Sequence, residues 1–300
     1  MSSMRYVVPK PIELLSSNIP LSDYPEYSPV ATYNTGVKVT VAEDLKNYKC
    51  AADGTIGVEP KTDASIWMPS TINRMAMFDL GTSRSTEHAD SIEFTYLNAI
   101  SDTLAFIGLE ANSITIELFD ADGITPVVDA VTYPLVAEEK CTFANYLLKE
   151  RRYAKKKIVS IPKVFNAVVK VTIEKTGSIA KCRYCFPGIQ EPLGLALWDG
   201  GELGLDIVGD QSRDAWGDLQ LDENMATFDV LSISVMEDFK NIDLVKEDLR
   251  DIVGKAVLFI AGSTKINSLN IFGIYRGFRA PINPRKTIYK LNLESLAWNK

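Results

Sequence analysis

The sequence predicts a mainly β protein: a small three-stranded aromatic module, an antiparallel β-sandwich of jelly-roll-like type, and a C-terminal α+β domain. Three observations lead there. Short β-branched segments with alternating apolar and polar residues recur between residues 91 and 173. Tyr and Trp are compressed with valines into residues 33–67, a stretch too short to bury a large aliphatic core. One helical pattern, at 243–253 with Gly254 as its stop, sits among strand patterns. With 300 residues, 46% of them hydrophobic and 24% charged, the chain can bury more than one core. The expected division is an extended arm at 1–30, the aromatic module at 31–70, the sandwich at 71–190, and a Gly/Asp-rich connector with the α+β assembly domain at 191–300.

Residues 1–30 carry Pro9, Pro11, Pro20, Pro25 and Pro29. Proline at this density fixes φ and removes backbone donors, so an arm is expected rather than a helix or a central strand. Tyr24 and Tyr27 make it a candidate contact for a neighbouring subunit, the other option being a strap on its own domain. In the module, Val37, Val39 and Val41 alternate with polar residues, 44–47 turns the chain, and 48–52 and 65–68 give two further short strands. The sandwich strands are expected at 91–96, 103–108, 113–119, 157–161 and 166–173. Six glycines interleave with aspartates between 190 and 224, a pattern read as a long excursion because glycine opposes a helix. Strands at 226–235, 256–261, 268–275 and 287–296 then complete a mixed sheet with the helix.

Chemistry is sparse. His88 is the one histidine; it excludes His–His metal sites and reads as a solvated loop residue. Cys182 and Cys185 have CxxC spacing, but a β context without further nearby ligands makes them packing residues rather than a zinc or redox pair. The aspartates from 206 onward recur every fourth residue without the spacing of a calcium loop, which leaves calcium as the lesser alternative to an excursion that touches neighbours. No phosphate-binding, dinucleotide, zinc-protease or nucleophile-elbow motif is present. No cofactor, no metal and no enzymatic activity are expected. The net charge of -7 opposes nucleic-acid binding, and no apolar run approaches a membrane span. The basic run Arg151, Arg152, Lys155, Lys156 and Lys157 is the strongest positive cluster, a candidate contact for an acidic face of another copy or, equally, a solvated loop or strand edge that discourages sheet-to-sheet aggregation.

Two resemblances add to this. Tyr33, Gly36 and Val37, then Tyr48-Lys49-Cys50, a loop with Gly54, Gly57 and Pro60, and Trp67 together resemble small chitin-binding-like carbohydrate-binding modules, which are also embedded in bacteriophage tail proteins. The resemblance makes Tyr33, Tyr48 and Trp67 candidate glycan-binding rings. Their structural use takes precedence, because so small a fold needs its large rings for burial. Over most of the chain, the succession of aromatic module, Asn73-Arg74 to Phe78-Asp79 lead-in, β-sandwich, Gly-rich connector and terminal unit with Gly273-Ile274-Tyr275 resembles tail-associated structural proteins of tailed bacteriophages. It implies a non-enzymatic ring or sheath around the tail tube, assembled in the host cytoplasm and residing in the virion. The implied partners are further copies of the chain, other phage tail proteins and, in the alternative of a receptor-binding appendage, host surface glycan.

Overall fold

The computed structural model describes residues 2–136, 153–208, 211–213, 219–221, 226–262, 267–281, 285–296 and 298–299. The protein is mainly β, as expected, and its strands pair antiparallel in every sheet. In chain order, β1 (Ser2–Val7) and β2 (Glu13–Ser17) precede the module strands β3 (Lys38–Val41), β4 (Lys46–Cys50) and β5 (Trp67–Thr71). A one-turn helix, α1 (Asn73–Ala76), leads to β6 (Thr86–Asn98), β7 (Thr103–Ile107), β8 (Ser113–Phe119) and β9 (Pro126–Pro134). Then come β10 (Lys156–Ser160), β11 (Ala167–Cys182), β12 (Tyr184–Gly188) and β13 (Gln190–Val208). A short hairpin, β14 (Gln211–Arg213) and β15 (Leu219–Leu221), is followed by β16 (Ala226–Asp238), the helix α2 (Ile242–Asp251), β17 (Val257–Ile260), β18 (Asn270–Arg279), β19 (Lys286–Ser295) and β20 (Trp298–Asn299).

Two sheets share the central core. The five-stranded sheet, in the order β2-β6-β11-β8-β9, turns Phe94 and Tyr96, Ile114 and Ile116, and Val169 and Val171 inward. The three-stranded sheet β10-β7-β12 answers with Leu104, Phe106, Val159 and Cys185. Successive side chains of a strand point to opposite faces, so Ala105, Ile107, Tyr184 and Phe186 project the other way. There they meet Val7, Leu258, Ile260 and Phe272 in a second apolar layer. This is why β7 and β12 read as continuous buried runs.

The C-terminal sheet departs from the expected mixed sheet. Its pairings run β13-β1-β17-β18-β19-β16, and β16 also pairs with β13, so six antiparallel strands close on themselves. Closure removes sheet edges, which would otherwise leave backbone groups unpaired. The helix α2 lends Val245, Leu249 and, just past its end, Ile252 to the core inside; that spacing makes one apolar stripe. The Tyr275 hydroxyl donates to the Leu249 carbonyl, and the Tyr289 hydroxyl donates to that of Leu193.

Two expectations are corrected here. Residues 2–7 form a central strand of the closed sheet, between β13 and β17, where no central strand was expected. The first proline is Pro9, so every residue of β1 keeps its backbone donor; the proline density applies only beyond it. Residues 190–208 form one long strand instead of an irregular excursion. Its glycines mark local irregularities within pairing: Gly200 has φ +74, and the register with β16 shifts between Leu197 and Glu202.

Gly273 shows how tightly the closed sheet is drawn. A Cβ there would lie 1.9 Å from the Glu294 carbonyl oxygen and 2.6 Å from the Ser295 Cα. Relief requires β18 and β19 to part, so Gly273→Ala is expected to destabilise the protein by about 2–3 kcal/mol in urea unfolding. Gly277, in the same strand, has open space around its position; Gly277→Ala should stay within ~0.5 kcal/mol of the parent.

Candidate functional site

The aromatic module is built around a ring cluster. Trp67 is 0% exposed, and Tyr33 and Tyr48 are nearly as buried, packed with Val39 and Cys50. The Trp67 indole N–H donates to the Val58 carbonyl at 3.1 Å. The Tyr33 hydroxyl accepts from the Ser28 N–H at 2.8 Å, which satisfies its polar tip. Tyr33 meets Trp67 edge-on at a centroid distance of 5.3 Å and stacks on Tyr27 at 5.6 Å. The three rings proposed for glycan are therefore spent on the module's core, and Tyr48 and Trp67 also back a surface hollow with Asp44, Pro60, Lys61 and Pro69. The third strand begins at Trp67 and contains Pro69, which its edge position tolerates.

The arm strands belong to the chain's own body. Glu26 bridges to Thr40 in parallel, and the Tyr27 N–H donates to the Thr40 carbonyl. Tyr27 meets Trp67 at 6.0 Å as part of the ring cluster. The Lys38 ammonium lies 5.3 Å from the centre of the Tyr24 ring. Both tyrosines, candidates for a subunit contact or for a strap on the chain's own body, are thus engaged within the chain, because the module is too small to close its core without help from the arm.

The joint between module and sandwich, expected at 73–79, is fastened by a residue the sequence did not single out, Asp23. Asp23 Oδ2 accepts from Asn47 Nδ2 at 2.7 Å, from the Asn73 backbone N–H at 2.8 Å and from Arg84 Nη2 at 3.2 Å. Asn73 in turn gives its amide N–H to the Glu87 carbonyl and accepts the Glu87 N–H, much as a strand neighbour would. The lead-in 73–79 is accordingly a joint, with Ala76 and Met77 buried. Asp23 carries no signal in the sequence: it sits among prolines without periodicity, and its partners are 24 to 61 positions away.

The other candidates fall into place singly. His88 lies in β6 rather than a loop, opposite Ala180, with Nδ1 2.8 Å from the Ser91 carbonyl oxygen. The polar residues around it suggested a loop, but they edge a strand that is only partly covered. Cys182 ends β11 and Cys185 lies in β12, at the corner where the chain leaves one sheet for the other, and both thiols point into the shared core. Burial pushes the Cys182 thiol up from 9.0 to about 12, and Cys185 also well up.

Of the basic run, Arg151 and Arg152 lie outside the described residues. Lys156, a candidate for subunit contact, binds Asp229 at 3.0 Å and the Asn270 carbonyl within the chain, joining the middle sheet to the closed one. Lys157 sits over the Tyr133 ring at 5.0 Å, while Lys155 is exposed. Cys141 and the aspartates at 210, 214, 218 and 222 also lie outside the described residues. Among the described residues no group of three or more His, Cys, Asp or Glu is placed to hold a metal, and no helix is long and apolar enough to cross a membrane.

One surface stands apart. Beyond residue 197, β13 leaves β1 and continues with β16 as a ribbon, exposing Leu203, Leu205 and Ile207 on one face. Comparison with protein-family models, curated proteins and solved structures finds no match.

The buried rings and thiols make two measurable statements. Trp67→Ala should speed hydrogen exchange throughout β3, β4 and β5 and cost about 3–5 kcal/mol of local stability, while Val37→Ala, at a half-exposed site, should leave exchange unchanged. At pH 8, iodoacetamide should leave Cys50, Cys182 and Cys185 of the folded chain unmodified, as read by peptide mass, and modify all three in urea. The folded Cys182 keeps its proton when the unfolded chain has lost it, so its effect on stability is absent below pH 9 and destabilising as pH rises toward about 12.

Proposed function

We propose that this chain is a non-enzymatic structural protein of a bacteriophage virion, forming a ring or sheath around the tail tube through contacts between its own copies. The observation that carries the reading is the β13–β16 ribbon, which holds three successive same-face apolar side chains, Leu203, Leu205 and Ile207, out in water. Such a surface suits assembly. The sequential resemblance to tail-associated proteins supplies the setting. In this reading the two sheets that share a core are a jelly-roll-like sandwich, the C-terminal strands and helix are an α+β assembly domain, and other tail proteins are its axial neighbours. Ring closure calls for heterologous contacts, in which one face of a copy meets a different face of the next.

A receptor-binding appendage that reads host glycan through residues 33–67 is the alternative, and it draws less support because Tyr33, Tyr48 and Trp67 are buried. Native mass spectrometry of the purified chain is expected to give one discrete high-order oligomer, and antibody labelling is expected to place it on the virion tail. A strictly monomeric chain absent from purified particles would refute the proposal. Competition with phage for host cells by the isolated chain would favour the appendage.

A further inference from the structure

We propose that the polar hollow at the joint between arm and sandwich, lined by Asp23, Tyr24, Arg84 and Glu87, is a binding site for a neutral pyranose sugar. It is a different place from the buried rings of residues 33–67, and the inference stands apart from the ring reading.

The hollow measures about 520 Å³, within the roughly 300–1,000 Å³ of small-molecule sites. Asp23 is its anchor. The Asp23 side chain is only 10% exposed, and its Oδ2 takes all three donors that fasten the joint. Oδ1 accepts no hydrogen bond from a described residue. A carboxylate oxygen so far withdrawn from water calls for a donor, and Oδ1 is the acceptor that Asp23 has left for a ligand. Arg84 supplies the opposite sense. Its Nη1 donates to the Thr71 carbonyl at 3.0 Å and its Nη2 to Asp23 at 3.2 Å, which fixes the guanidinium plane and leaves the rest of its five N–H donors. Ser22 and Ser85 add rotatable hydroxyls to the same lining.

These groups select the ligand. A fixed acceptor beside a fixed planar donor matches neighbouring hydroxyls, each of which donates and accepts. Charge selects further: Asp23 pairs with Arg84, and Glu87 pairs with Lys181 at 3.1 Å, so each charge of the lining has its counter-charge and a neutral ligand is favoured over an anion or a metal ion. Tyr24 adds apolar surface. Its ring is held by Lys38, whose ammonium lies 5.3 Å from the ring centre and donates to the hydroxyl at 3.4 Å. A ring beside a carboxylate and a guanidinium can take the C–H face and the hydroxyl edge of one sugar together.

The test applies the full-length chain to a glycan array and, in saturation-transfer NMR, to free glucose, galactose, mannose and N-acetylglucosamine at up to roughly 10 mM, well above a Kd of about 1 mM. At least one pyranose is expected to bind. Ser22→Tyr and Ser85→Tyr each place a ring in the hollow without touching the Asp23 bonds, and each should weaken that binding by roughly ten-fold or more. Lys61→Ala, at the separate hollow backed by Tyr48 and Trp67, should leave it unchanged. Failure to bind any array glycan or free sugar overturns the proposal. Binding that survives both serine variants overturns it too, and if that binding falls with Lys61→Ala the sugar belongs to the module's own hollow. Should the variants unfold, hydrogen exchange of the parent decides. Bound sugar is expected to slow exchange at 21–24 and 84–87, and unchanged exchange there overturns the site. The oligomer is measured separately by native mass spectrometry, so neither result decides the ring.

Discussion

The structure depends on a three-stranded sheet buried on both faces. Leu104 and Phe106 of β7 pack into the central core while Ala105 and Ile107, the alternate residues, pack against the closed C-terminal sheet. A strand can serve two cores only if both of its faces are apolar, and 103–107 meets that condition at every position except the threonine that opens it. The two bodies are joined through an apolar layer of Tyr184, Phe186 and Phe272, the last two with ring centres 4.8 Å apart. Sliding one body over the other would expose that layer, so the interface favours a single arrangement. Lys156 and Asp229 add an ion pair across the same junction, partly buried and therefore directional more than strongly stabilising.

Chain connectivity follows from this layer. The first strand, β1, is inserted between β13 and β17, so the closed sheet takes its opening strand from the N-terminus and its next after more than 180 residues; the Arg5 guanidinium donates to the Gln190 side chain across 185 positions. Everything between, module and central sheets alike, is an insertion between two paired strands. Closing so long a loop carries an entropic cost that grows only logarithmically with its length. The Cys182–Cys185 spacing belongs to the same logic. It marks the corner at which the chain crosses between sheets, and the thiols are buried because both sheets face one core.

The aromatic module shows a different solution to a small core. Its aliphatic contribution is slight, and the rings of Tyr27, Tyr33, Tyr48 and Trp67 supply the apolar area. Tyr27 comes from the arm, so the arm completes the module. Asp23 then fixes both to the α1 lead-in with three donors on one oxygen. Rings that might stack on a sugar in a larger fold are spent here on cohesion.

Much of the architecture was legible locally. Alternation at 91–96, 113–119 and 166–173 marked strands, the second with the bounds it has and the first and third continued further, and Val245, Leu249 and Gly254 marked a helix and its stop, because period 2 and period 3.6 are properties of neighbouring residues. The aromatic module was legible for the same reason, down to the burial of Trp67. What the sequence could not determine is which strands meet. That β1 belongs with β13, that β16 returns to β13 and closes the sheet, that Lys156 finds Asp229, and that Asp23 gathers Asn47, Asn73 and Arg84 all depend on residues far apart in the chain. Glycines at 200 and 201 looked like loop formers, since glycine permits both a loop and a bulge; the pairing partner β16 decides between them. Composition and periodicity determined the elements and their buried faces, whereas tertiary packing alone decided the closure, the Asp23 bonds that fasten the joint and the exposed ribbon, because each is a relation between surfaces that only folding brings together.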